Sequence, residues 1–290
     1  MGQVNEAIIL AGGRGTRMLP ASLFSPKEFL PLFDVPIIKH LFQECIIAGI
    51  DKVHLVLSPR KKAIFDALMS QGNEPYDKRV RQDLDRSELR LVPDGLDLSV
   101  HVQESAGGVA DAISVVLDHI DGDFIVLLGD NVLLSNDIEV NDHMAANTAS
   151  LRMVEDYLAN GTPCVGVVSV GSDMASLYGI AQVADGEVVS IVEKPNEDDY
   201  RGDLALCGRY IFPKESSSIL KDFSIEEHGE LQSIAFMLGL SKSHGLRAVD
   251  LSDHSWYDSG SPDSWIRDQL KHMEMRKNGS GNSHEKTRIA

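Results

Sequence analysis

The residues best suited to chemistry lie near the start of the chain. The apolar run Ala7-Ile8-Ile9-Leu10-Ala11 leads into Gly12-Gly13-Arg14-Gly15-Thr16-Arg17, and Ser25-Pro26-Lys27-Glu28-Phe29-Leu30-Pro31 follows. A short apolar run bounded by glycines reads as a buried strand. Glycines free the backbone to turn and let a ligand approach without Cβ atoms in the way. Successive N–H groups in such a turn form an anion-binding nest. Arg14 and Arg17 add planar bidentate donors for phosphate oxygens, and Lys27 adds a point charge. The stretch therefore predicts a phosphate-binding loop. It is not a Walker loop, which needs Gly-Lys-Ser/Thr after four spacers. It is not the dinucleotide fingerprint either, because Met18 stands where the last glycine belongs.

Further candidates sit where predicted strands end. Gln103 precedes Gly107-Gly108; its amide can donate to O4 and accept from N3–H of a uracil or thymine imide edge. Asp130 follows the apolar run 124–128 and a glycine. A carboxylate there suits Mg²⁺, a hard cation that takes oxygen ligands. Each has a plainer reading: a solvated turn glutamine, or a turn aspartate. The ten histidines show no zinc or metalloprotease spacing, and no nucleophile elbow occurs.

These elements need a scaffold. Apolar residues make up 43% of the 290, enough for a sizeable core. Helical periodicity is predicted over Val35–Gly49 and from Pro59 to about Met69, with a strand over Val53–Leu57. Strands follow over Ser99–Gln103 and Asp123–Leu128, separated by a helix ending near His119. Strand–helix alternation of this kind argues for a parallel sheet with right-handed crossovers. Ligands bind beyond the carboxyl ends of the strands in such sheets, the edge where the arginine loop, Gln103 and Asp130 would meet. Residues 71–97 read as a polar surface excursion and Asp137–Asn160 as a helix. The second half is strand-rich: Cys164–Val170, Gly179–Val183, Glu187–Val192, Leu204–Phe212 and Leu246–Leu251. Helices are expected over Lys214–Asp222, Glu230–Leu240 and Pro262–Met275, and a disordered polar tail over 277–290.

The net charge is −17. Such a surface repels nucleic acid and anionic membranes, so neither is an expected partner. Residues 1–27 carry a local excess of two positive charges, a basic loop on an acidic body. Cys45, Cys164 and Cys207 lie far apart among apolar residues, and no signal peptide or membrane span is evident. Free core thiols and a cytoplasmic location are expected.

The pattern Leu-Ala-Gly-Gly-x-Gly-Thr-Arg over Leu10–Arg17, followed by Pro26-Lys-Glu-x-Leu-Pro31, resembles the signature of sugar-1-phosphate nucleotidyltransferases. The Lys-Glu-x-Leu-Pro form is closest to the UTP–glucose-1-phosphate uridylyltransferases, with the thymidylyltransferases next. The likeness extends from about Ala7 to Trp265. It implies an α/β fold: a Rossmann-like mixed, mainly parallel sheet flanked by helices, with a strand-rich sugar-binding subdomain. Residues 1–276 would form one domain, nucleotide-binding to about 135 and sugar-binding from about 136. It assigns Arg17 and Lys27 to catalysis. Leu10, Ala11, Gly12, Gly13, Gly15, Thr16, Gln103 and Gly108 would bind the nucleotide. Tyr178, Gly179, Glu193, Lys194 and Gly208 would bind the sugar phosphate, and Asp130 and Asp258 the Mg²⁺. Departures fall on the sugar side: Asp203 replaces a usual asparagine, and Gln-Ser-Ile follows Gly229-Glu230-Leu231, leaving Glu230 a candidate sugar contact.

The expected reaction joins a sugar-1-phosphate to a nucleoside triphosphate and releases pyrophosphate, by in-line attack on the α-phosphorus. UTP with glucose-1-phosphate is the first expected pair and dTTP the alternative. A cytidylyl- or adenylyltransferase and a catalytically silent nucleotide-sugar sensor are remoter readings. The resemblance further implies a homodimer or homotetramer.

Overall fold

The computed structural model describes residues 3–70, 90–138, 144–196, 202–216 and 232–285. The strands are β1 (Val4–Leu10), β2 (Pro31–Leu32), β3 (Val35–Pro36), β4 (Lys52–Leu57), β5 (Asp97–Val102), β6 (Asp123–Leu128) and β7 (Asn131–Ser135). After them come β8 (Cys164–Ser169), β9 (Gly179–Ala184), β10 (Glu187–Glu193), β11 (Leu204–Phe212), β12 (Arg247–Asp250) and β13 (His254–Asp258). The helices are α1 (Ile37–Ile47), α2 (Pro59–Ser70), α3 (Val109–Ser114), α4 (Ala149–Asn160), α5 (Ser172–Ala175), α6 (Gln232–His244) and α7 (Pro262–Glu285).

A nine-stranded sheet in the order β5-β4-β1-β6-β11-β8-β12-β10-β9 runs through both halves of the chain. The four strands β5, β4, β1 and β6 are mutually parallel. Their apolar runs arise because helices cover both faces, so even successive residues Ile8, Ile9 and Leu10 are buried. Beyond β6 the pairing turns antiparallel, except for parallel β8–β12. Strand β9 pairs with both β10 and β11, so the far end of the sheet curls back on itself.

Helix α1 buries Ile38, Leu41, Phe42 and Cys45, the predicted apolar face, and Gly49 follows it at φ 76°. All three cysteines are free and buried. Three expectations need correction. Val35–Pro36 forms β3 rather than the start of α1. The helix expected over Asp137–Asn160 begins only at Ala149; among the described residues before it, 137, 138 and 144–148 are turn, bend or irregular, and β7 precedes them. The closing helix α7 continues to Glu285, through most of the tail read as disordered. Extending an existing helix needs no new nucleus, which is the costly step. The possible helix within 71–97 falls largely on residues outside the described ones, as do most of Lys214–Asp222 and Glu230 itself.

A histidine cluster lies on the sheet. His54 Nδ1 and His101 Nε2 share a hydrogen bond at 2.9 Å, and the His119 ring sits 4.9 Å from that of His101. Glu6 lies 3.3 Å from His54 Nε2 and pairs with Lys52 at 3.0 Å. Burial, then His54 and His119, push His101 down to about 4; burial also lowers His54 despite Glu6. Below the ordinary histidine value near 6.5, the unfolded chain takes up protons that the folded chain refuses. Stability is therefore expected to fall as pH drops from about 6.5 towards about 4. Urea midpoints across this range check it: His101→Asn should flatten the slope, and an unchanged profile would remove the cluster as its cause.

Candidate active site

The loop after β1 is pinned from below. The Ala11 amide donates to the Val56 carbonyl at 2.9 Å, and the Ala11 carbonyl accepts from Lys61 Nζ at 2.7 Å. Lys61 also reaches both carboxylate oxygens of Glu28 at 2.8 Å. Burial pushes Glu28 up and Lys61 down, and their mutual contact opposes both shifts. Gly12 has no room for a side chain: a Cβ there would stand 2.6 Å from Gln103 Oε1. Gly15 takes φ 65° and starts the single turn Thr16–Met18, which carries Arg17.

The two candidate metal carboxylates are joined by a small antiparallel ladder. Asp130 occupies the turn between β6 and β7, and β7 pairs with β13 so that Asn131 faces Asp258. The Ser259 amide donates to the Asp130 carbonyl at 3.2 Å. Asn131 ties the ladder together: its Nδ2 donates to Asp130 Oδ1 at 2.8 Å, and its Oδ1 accepts from Trp256 Nε1 at 2.6 Å. Its carbonyl accepts from the fully buried Arg209 at 2.9 Å.

Charges alternate across this cluster. Lys27 forms an ion pair with Asp130. Burial alone would raise Asp130, but the Lys27 charge and the hydrogen bonds from Lys27 and Asn131 hold it below the usual carboxylate value. Burial would likewise discharge Lys27; Asp130 and Glu28 keep its value raised. Asp258 is pushed up by burial and by the Asp130 charge, against the pull of Arg17, Lys27 and a Tyr178 hydrogen bond. A Cβ on Gly260 would lie 3.1 Å from Arg17 Nη2 and 3.2 Å from Asp258 Oδ1, so the guanidinium and carboxylate flank one spot. Two hard oxygen donors that repel each other fit a divalent cation.

A cavity of about 470 Å³ opens beside the cluster, lined by Leu10, Gly12, Gly13, Gln103 and Gly108, with Lys27 and Asp130 at its edge. A second, of about 400 Å³, adjoins it across Gly12 and is lined by Arg14, Gly15, Arg60 and Lys61. The Gln103 backbone N–H donates to the Leu57 carbonyl at 2.9 Å. Its side-chain Nε2 donates to the Gly108 carbonyl at 3.2 Å and to Asp111 Oδ2 at 2.6 Å. The donor half expected to meet O4 of a base is thus engaged within the protein.

The sugar-side residues are spread more widely. Tyr178 touches the cluster through Asp258, and its ring lies 4.6 Å from that of Trp256. The β9–β10 register sets Glu193 against Gly179, and the Lys194 amide donates to the Tyr178 carbonyl at 2.9 Å. The Lys194 side chain is exposed, 3.6 Å from Glu193, on a left-handed backbone at φ 44°. Gly208 lies within β11 at φ 75°, close against Leu128. Thr16 points to the surface, and Ala11 is buried beneath the loop. Asn131, Asp111, Lys61 and Arg209 were not among the expected site residues. Only Asp111, an acid in the first turn of a helix after Gly-Gly, carried a local signal.

A glycine loop with two arginines, beside paired aspartates at the carboxyl edge of a parallel sheet, is the architecture of a nucleotide-transferring enzyme. Residues 6–274 match the nucleotidyl transferase family model, and the chain belongs to that family. Among relatives, the Bacillus subtilis (strain 168) UTP–glucose-1-phosphate uridylyltransferase YngB is 30% identical over 267 residues, covering 89% of this chain and 86% of that one. The UTP–glucose-1-phosphate uridylyltransferase of Streptococcus pneumoniae serotype 4 is 28% identical, covering 94% and 93%. A UDP-glucose pyrophosphorylase structure from Acinetobacter baumanii superposes with a TM-score of 0.78 at 23% identity, over 99% of this chain and 100% of that one. The last likeness speaks for the fold. Among the described residues, no helix is long and apolar enough to cross a membrane.

Proposed function

We propose that the chain transfers the uridylyl group of UTP to glucose-1-phosphate, giving UDP-glucose and pyrophosphate. The observation that carries this reading is the charge cluster of Arg17, Lys27, Asp130 and Asp258, whose members Lys27 and Asp130 stand at the edge of the cavity walled by Gly12 and Gln103. The uridylyltransferase names of the most similar relatives supply the substrate pair.

The glycine loop and Gln103 seat the nucleotide. A phosphate oxygen of the sugar phosphate attacks the α-phosphorus in line; that P–O bond forms as the bond to the bridging β-phosphate oxygen breaks, and pyrophosphate leaves with its electron pair. The nucleophile is already anionic, so no side chain needs to remove a proton. The barrier is repulsion between two anions, and the residues act by positioning and charge. Arg17 and Lys27 offset the charge on the triphosphate. Asp130 and Asp258 would hold a divalent cation, Mg²⁺, which supplies further positive charge to phosphate oxygens when bound. Tyr178 orients the Asp258 carboxyl through its hydroxyl. Lys194 and Glu193, at the end of β10, meet the incoming sugar phosphate.

Lys194→Ala is expected to raise the KM for glucose-1-phosphate about 10- to 100-fold, the value of one hydrogen bond to a charged group. The KM for UTP should change little. Equal effects on both would move Lys194 out of the sugar site. The reading as a whole is tested by pyrophosphate release across a matrix of UTP, dTTP, CTP, ATP and GTP against several sugar-1-phosphates. UTP with glucose-1-phosphate should give the highest kcat/KM. A preference for dTTP would make the chain a thymidylyltransferase, and no turnover with any pair would overturn the enzyme reading.

A further inference from the structure

Gln103 stands almost fully buried at the end of β5, 8% exposed, and its amide can face only one way. Both partners of Nε2, the Gly108 carbonyl at 3.2 Å and the Asp111 carboxylate at 2.6 Å, are acceptors. Turning the amide over would set its oxygen against two other oxygens. The nearer partner is the charged one, so Asp111 contributes most to this preference. The local backbone makes room for it: a Cβ on Gly107 would stand 2.6 Å from the Asp111 carboxyl carbon. Oε1 is left facing Gly12, and among the described residues no donor reaches it.

From this we infer that Asp111 is a positioning residue for base selection: together with the Gly108 carbonyl it engages the amide donors of Gln103 inside the protein and leaves the cavity a lone acceptor. The inference rests on the proposed reading that the base occupies the Gln103 cavity. A base meeting Oε1 must donate. Uracil does so through N3–H. Cytosine presents an unprotonated N3 at the same place, so two acceptors would face each other without a hydrogen, at the cost of an unpaired buried polar group. Thymine carries the same N3–H as uracil, so this device separates imide bases from cytosine and does not choose between UTP and dTTP. The selection requires no charged contact to the nucleotide; it lies in which end of one amide is free.

The test measures kcat and KM for UTP and for CTP, with saturating glucose-1-phosphate, in the full chain and in three variants. Asp111→Ala puts the best helix former at a partly exposed position of α3, so the fold is retained. It frees the amide to turn. The UTP KM should rise about tenfold with kcat nearly unchanged, and the UTP-over-CTP ratio in kcat/KM should fall at least about tenfold. Asp111→Asn, whose side-chain oxygen can still accept from Nε2, should restore most of both. A purely structural role would lower the urea midpoint without moving the UTP-over-CTP ratio. Gln103→Ala separates base binding from amide orientation. If it raises the UTP KM while Asp111→Ala leaves KM and preference unchanged, the positioning role is overturned and the base site stands. If Gln103→Ala also leaves the UTP KM unchanged, the base site itself is wrong.

Discussion

Asp130→Asn is expected to lower kcat by about 10²–10³-fold, the scale of losing one preorganised electrostatic partner. The substitution keeps the size of the side chain while removing its charge and one of the two acceptor oxygens that now receive Lys27 and Asn131. Asp130 is held below the ordinary carboxylate value by Lys27 and Asn131, so it is charged at working pH. Removing it breaks the ion pair with Lys27, leaves that lysine only the charge of Glu28, and takes away one of the two oxygen donors proposed for a divalent cation. It also relieves Asp258 of the repulsion that raises it. The fold should persist, because the backbone ladder between β7 and β13 does not use the carboxylate. Steady-state pyrophosphate release, with circular dichroism as the control, checks this. Turnover within threefold of the parent would take Asp130 out of the chemistry.

The second large effect is on stability. Glu44 and Arg209 are both fully buried, 0% exposed, and joined by two hydrogen bonds at 2.8 and 2.7 Å. Glu44 also accepts from the Ser150 amide at 3.0 Å, and Arg209 donates to the Asn131 carbonyl. One ion pair thus ties α1, α4 and β11 to the turn that carries Asp130. Glu44→Ala would leave a guanidinium buried without its counter-charge, a loss of about 3–5 kcal/mol. Urea titration measures it through the midpoint at constant slope. A loss below about 1 kcal/mol would show that Arg209 finds another partner. Turnover of the folded fraction should fall as well, since Arg209 braces Asn131.

The local parts of this molecule were readable in advance, and the non-local parts were not. The runs Ala7–Ala11, Val53–Leu57 and Asp123–Leu128 read as strands because parallel strands buried on both faces leave continuous apolar stretches. The glycine loop, Arg17 and Asp130 stood out because each lies in a short motif after a strand, Lys27 because it adds a cation close behind the loop, and Asp258 through the family resemblance. Strand β7 was hidden: Asn131–Ser135 follows a Gly-Asp turn, and its ladder partner among the described residues, β13, lies more than a hundred residues later. The Glu44–Arg209 and Glu28–Lys61 pairs are equally non-local, and a charged residue inside an apolar stretch reads as surface until its partner is seen. The amide orientation of Gln103 depends on Asp111, eight residues on, which periodicity does not reveal. The extension of α7 into a polar, glycine-containing segment ran against composition.

The most direct test is a crystal structure with UDP-glucose and Mn²⁺, the ion located by its anomalous signal. The account predicts the diphosphate lying along residues 12–17 and the manganese shared between the carboxylates of Asp130 and Asp258. A diphosphate seated away from Gly13, or an ion bound elsewhere with those two carboxylates left bare, would contradict it.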